Sequence, residues 1–192
     1  MTDRQASRDL RAAIFVEGVS DEEALDALAE RRRRDLVSEG VLIVPMGGAH
    51  GILRFIETYG PDGRDLQLGG LCDEGEEPYV RRALFDAGLV SDRSRHALEQ
   101  AGFYVCEPDL EAELIRALGV ESVARVIAAQ GDLGAFRTLQ REPAWRGRDS
   151  AEQQRRFMGS GGGRKIRYGR LLVNALDLDK MPRPLEQVLA GV

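Results

Sequence analysis

Cysteine is scarce in this chain. Cys72 and Cys106 are the only two, too few for a disulfide framework, and they suit a reduced, cytoplasmic setting. Histidine is equally sparse, and His50 and His96 lie far in sequence from the acidic motifs described below. No stretch approaches the ~20 apolar residues that cross a bilayer. The opening MTDRQASRDLR has no apolar run of the secretory-signal kind. Nothing repeats at a period of roughly 20–50 residues, which excludes a solenoid. With 43% hydrophobic and 31% charged residues, the chain is also too apolar for disorder. A globular protein of one domain plus an elaboration is the expectation.

What is present is unevenly charged. The net charge is −5, yet residues 1–140 hold 16 Lys/Arg against 26 Asp/Glu, whereas residues 141–170 hold 9 against 3. An acidic body beside a basic segment suits a metal site next to a polyanion-binding surface, and a merely solvated helical surface explains the charge equally well.

Apolar runs alternate with amphipathic segments. Strands are expected at 12–16 (AAIFV), 41–45 (VLIVP), 66–72 (LQLGGLC) and 103–106 (FYVC), with helices near 20–34, 51–59, 78–87 and 109–118. Ser20 and Glu23 have the spacing of a capping box, and Pro78 suits the first turn of a helix. The four arginines at 31–34 close the first helix, where its dipole favours cations. This alternation predicts an α/β fold: an open, mainly parallel four-stranded sheet flanked by helices over residues 1–118. Residues 119–192 read as a C-terminal helical extension, with helices at 120–140, 150–158 and 164–176. GSGGG at 159–163 is the hinge candidate.

Ligands of an open parallel sheet bind beyond the carboxyl ends of its strands. Three expected strands end in acid: Glu17 after the first, Asp73 and Glu74 after the third, and Glu107 with Asp109 and Glu111 after the fourth. Asp21 lies one helical turn beyond Glu17. Helix capping accounts for Glu22, Glu23, Glu76 and Glu77. It does not account for Glu17, set between a strand valine and Gly18. An all-oxygen set without a nearby His or Cys pair favours Mg²⁺, Mn²⁺ or Ca²⁺ over zinc.

VEGVSD (16–21), LCDEGEE (71–77) and CEPDLEAEL (106–114) resemble the Toprim domain, most closely the version in overcoming-lysogenization-defect (OLD) family nucleases. The resemblance implies Glu17, Asp21, Asp73, Asp109 and Glu111 as ligands of Mg²⁺ or Mn²⁺, two ions in all. Glu17 and Asp73 would lie near one ion and Asp21 and Glu111 near the other. Gly75 stands where the second aspartate of the DxD motif is expected. The resemblance also implies a lysine near the scissile phosphate, and Lys165, one of only two lysines, is its counterpart. Glu17 and Lys165 are thus the expected catalytic residues. Chemically, the lysine would neutralise charge building on the phosphate.

GSGGGRK fails as a phosphate-binding loop, because Arg164 replaces a required glycine and Ile166 the Ser/Thr. The ATPase that usually accompanies OLD nucleases is then expected from a separate subunit, or the activity is independent of ATP. Arg155, Arg156, Arg164 and Arg167 are expected to contact a nucleic-acid backbone. Trp145 reads as a core residue, with stacking on a base as the alternative. The expected activity is hydrolysis of phosphodiester bonds in DNA. An RNA-processing nuclease and a non-catalytic Toprim-like binding module are the alternatives, and oligomeric state is left open.

Overall fold

In a computed structural model, residues 10–192 are described; the first nine residues, including most of the segment read as lacking a leader, lie outside the described residues. Four parallel strands form one sheet in the order β2-β1-β3-β4. They are β1 (Ala12–Val16), β2 (Val41–Pro45), β3 (Gln67–Asp73) and β4 (Phe103–Cys106). All five β1 residues are buried, as a central strand covered on both faces requires. Val16 pairs with Pro45 and Asp73 with Cys106, so the carboxyl ends of the strands reach one edge of the sheet together. Gly70 is fixed by packing: a Cβ there would fall 2.7 Å from the Phe103 ring and 2.8 Å from the Phe15 carbonyl oxygen.

Helices cover both faces. α1 (Val19–Arg31) follows β1, α2 (Ile52–Tyr59) follows β2, α3 (Glu77–Asp86) and α4 (Arg95–Gln100) follow β3, and α5 (Leu110–Leu118) follows β4. Phe15, Ile52, Ile56, Val80, Leu84, Leu98 and Phe103 build the core on one face. The other core runs from Ile14 and Val16 through α1 and α5 into the later helices, taking in Phe157, Tyr168, Leu172 and Leu185. Those later elements are α6 (Val120–Ala129), α7 (Leu133–Arg141), α8 (Ser150–Gly159), α9 (Gly162–Ala175) and α10 (Arg183–Ala190).

Several sequence expectations are corrected. The cap of α1 is Gly18, whose backbone N–H donates to Asp21 Oδ2 at 2.8 Å, so Ser20 and Glu23 form no box. Residues 120–140 are two helices, because Gly131 adopts a positive φ of 73° between them. GSGGG is no open linker, since α8 runs to Gly159 and α9 starts at Gly162. The arginine run does more than meet a helix dipole. Arg31 donates to the Val173 carbonyl, Arg32 to the Leu178 carbonyl at 3.0 Å, and Arg34 to the Val192 carbonyl at 2.9 Å. These bonds satisfy carbonyls at the ends of the C-terminal helices and tie those helices to α1.

α9 lies closest to α1. A Cβ on Gly169 would come within 2.7 Å of the Ser20 carbonyl oxygen, so the two helix backbones nearly touch there. The first turn of α9, carrying Lys165, is thereby brought to the carboxyl edge of the sheet.

Candidate metal centre

Glu17 leaves β1 half-buried, and its backbone carbonyl accepts bonds from Gly47 N at 2.9 Å and Gly48 N at 3.1 Å. Both glycines have positive φ, 73° and 110°, a conformation that side-chain-bearing residues rarely adopt. The MGG turn after β2 therefore fixes the backbone from which the Glu17 carboxylate projects. Two adjacent glycines at a strand end are a signal of such a turn, but not of its partner.

Asp21 and Glu111 are both buried, each 6% exposed. Burial raises the Asp21 carboxyl above its usual range; the Gly18 N–H and Lys165 oppose the rise, and Glu17 adds to it. Glu111 is likewise raised by burial, eased by Lys165 and raised further by Asp109 and Asp21. Lys165 Nζ lies 3.4 Å from Glu111 Oε1. Burial works against the ammonium charge, but Glu111, Asp21 and Asp73 together outweigh it and hold the lysine above its ordinary pKa.

Asp73, at the end of β3, is the most perturbed acid. Burial first, then the charges of Glu17, Asp21, Asp109 and Glu111, push its carboxyl up to about 8, with no hydrogen bond opposing them. All five acids named from the sequence thus act on one point at the carboxyl edge. Among the described residues, no three His, Cys, Asp or Glu side chains are already grouped tightly enough to hold an ion. Carboxylates without a cation repel one another, and these are held apart partly by their own partners.

Asp109 is the most fully engaged. Its Oδ1 caps α5 by accepting Ala112 N at 2.9 Å, and its Oδ2 accepts from Arg155 Nε. Asp73 is the reverse case, a half-buried carboxylate facing four others with no side-chain hydrogen-bond donor among the described residues. An all-oxygen set with such a member fits a hard divalent cation, which would supply the missing positive charge. The other acids of these motifs are held elsewhere. Glu77 pairs with Arg81 at 3.0 Å and Arg95 at 2.6 Å, and Glu107 pairs with Arg95. Glu74 is exposed, and Glu76 Oε2 lies 3.8 Å from His50 Nδ1. Position 75 opens onto free space.

The four arginines expected on nucleic acid divide into two pairs. Arg155 and Arg156 line a cavity of about 500 Å³ that also contains Lys165, Glu111 and Trp145. Arg164 donates to Ser160 Oγ at 2.5 Å and lies over the Phe157 ring, and Arg167 pairs with Asp132. Cys72 and Cys106 are buried free thiols, and burial pushes Cys72 up to about 12.

Residues 10–63 match the model of the overcoming lysogenization defect protein-like Toprim domain. Over those residues the chain is similar to an OLD-like Toprim domain. Its four-stranded parallel sheet with flanking helices has the fold of solved C-terminal regions of OLD proteins. That region of the Burkholderia pseudomallei OLD protein is 20% identical, with a TM-score of 0.72 over 95% of this chain and 96% of that one. Two structures of the same region of the Xanthomonas campestris pv. campestris OLD protein are 24% and 25% identical. Their TM-scores are 0.72 and 0.69; they cover 95% and 94% of this chain and 92% and 93% of theirs. No curated protein matches the chain. The Toprim fold is typically that of a metal-dependent nuclease.

Proposed function

We propose that the chain is a divalent-metal-dependent nuclease that hydrolyses phosphodiester bonds in DNA. One observation carries this reading: α9 places Lys165 against Glu111, in the field of Asp21 and Asp73, at the edge where the strands end in acid. Glu17, Asp21, Asp73 and Glu111 hold Mg²⁺ or Mn²⁺, two ions in the full site. Asp109 contributes indirectly, through its hold on Arg155. When bound, such ions supply a water nucleophile at neutral pH and stabilise the leaving oxygen. Lys165 faces the phosphate and neutralises charge that builds there. Glu17, whose backbone is anchored by the MGG turn, would present its carboxylate to an ion shared with Asp73. We assign the protein to the cytoplasm.

The test is supercoiled plasmid incubated with purified protein and Mg²⁺ or Mn²⁺. Nicking is expected, and it is expected to vanish in Glu17→Ala. A second reading, a Toprim-like module that binds without cutting, draws on Gly75, where the second DxD carboxylate is missing. Salt-sensitive DNA binding with no cleavage in either metal would favour that reading. Cleavage of structured RNA but not plasmid would move the substrate to RNA.

A further inference from the structure

The cavity beside the acids has an aromatic wall that the hydrolytic chemistry does not use. Trp145 is partly buried, packs against the core and also lines the cavity. The Arg148 guanidinium lies over its ring at 5.4 Å from the centroid and the Arg156 guanidinium at 5.8 Å, so a base that stacks there takes the place of a guanidinium. Lys165 and Glu111 line the same cavity. At about 500 Å³ it has the size of a small-ligand site.

This aromatic wall is held in place. Buried Gln153 donates from Nε2 to the Trp145 carbonyl at 2.7 Å and accepts from Gln140 Nε2 at 2.8 Å. An amide chain thus fixes the turn between α7 and α8 that carries the tryptophan. Among the described residues Arg156 makes no ion pair, and Arg148 has only the exposed Glu152 at 3.7 Å. An indole flanked by two guanidinium groups, opening onto the lysine that faces the phosphate, matches a base on its π face and a backbone on its charges.

We infer that Trp145 is a stacking platform for an unpaired nucleobase next to the scissile phosphate, which makes single-stranded or frayed DNA the substrate class. A base inside a duplex is stacked on its neighbours and cannot lie on this ring. The inference rests on the nuclease reading and adds the form of DNA that it takes.

Trp145 is the only tryptophan, so its fluorescence reports this cavity alone. The whole chain is titrated in Ca²⁺ with oligothymidylate of about a dozen nucleotides, with an abasic oligomer of equal length, and with a blunt duplex. Oligothymidylate should quench the emission to saturation, and the abasic oligomer should not. By anisotropy of labelled oligothymidylate, Trp145→Ala should bind about tenfold more weakly, while Trp145→Phe stays near wild type. Thermal melting of both variants checks folding. Equal affinity for abasic and thymidylate oligomers, or an unchanged Trp145→Ala, overturns the stacking role and leaves the nuclease reading intact if plasmid is still nicked. Failure to bind any oligomer overturns the stacking role, and failure to cut either plasmid or oligothymidylate in Mg²⁺ or Mn²⁺ overturns the nuclease reading.

Discussion

Lys165 Nζ stands 3.4 Å from Glu111 Oε1, which joins the first turn of α9 to the first turn of α5 across the mouth of the sheet. The pair has two roles of unequal weight. Lys165 is half-exposed, so the ion pair contributes little to stability. Its position near the acids matters more. Replacing Lys165 by Met should lower plasmid nicking by about 10²–10³-fold and leave melting in Mg²⁺ nearly unchanged. Lys165→Arg should not restore the rate, because a planar guanidinium does not place its charge where a compact ammonium does. Single-turnover nicking rates with parallel melting curves test both statements.

The raised pKa of Asp73 ties stability to pH. In the folded chain its carboxyl is pushed up to about 8, whereas an unfolded aspartate keeps its ordinary value of 3.8. The folded state therefore binds this proton more tightly. Its contribution is fully present below about 4 and is lost as pH rises through 8. Asp21 and Glu111 are raised as well and act with the same sign. With EDTA present, the melting temperature should fall between pH 5 and pH 8. Millimolar Mg²⁺ should reverse most of that fall, because a cation replaces the lost proton. Asp73→Asn should flatten the pH profile and abolish the Mg²⁺ effect. A melting temperature independent of pH in EDTA would contradict the crowding of these acids.

The sheet is legible because its strands are short apolar runs, three of them with β-branched or aromatic residues, and because acids follow three of them directly. The convergence of the candidate acids is legible for the same reason: parallel strands end at one edge, so residues remote in sequence must meet there. α4 was missed because RHALEQ is too short to display a helical period, and α10 because Pro182 and Pro184 resemble loop residues. The core reading of Trp145 holds in part: it packs against the core and also lines the cavity, and an isolated aromatic does not reveal in sequence that it does both. The partners of Gly47, Gly48 and Gly169 are contacts across the fold, and no local pattern encodes them.

Gly169 offers a test in which two effects oppose each other. In an open helix, Gly→Ala stabilises by roughly 0.5–1 kcal/mol. Here the added methyl would meet the Ser20 carbonyl oxygen at 2.7 Å, backbone that cannot rotate away. Overpacking of that kind costs about 1–3 kcal/mol. The clash should win, so Gly169→Ala should lower the melting temperature. Because α9 shifts with it, nicking should fall further than the loss of folded protein explains. Gly163→Ala, at an open position in the same helix, serves as the control and should be neutral or stabilising.

Gly75 invites the opposite experiment, a gain. No atom lies within 4 Å of the position a Cβ would occupy, and its φ is not positive, so an aspartate fits without strain. It lies two residues beyond Asp73 in the turn after β3, where the resemblance places the second DxD carboxylate. Without metal, another carboxylate beside this acidic edge adds repulsion, so Gly75→Asp should melt lower than wild type in EDTA at pH 8. With Mg²⁺ the order should reverse, since one more oxygen ligand tightens binding and a ligand that binds only the folded state stabilises it by mass action. Calorimetric titration with Mg²⁺ should accordingly give a lower Kd for Gly75→Asp. If Kd is unchanged and melting in EDTA stays at the wild-type value, the carboxylate points away from the acids, and position 75 has no part in holding the ions.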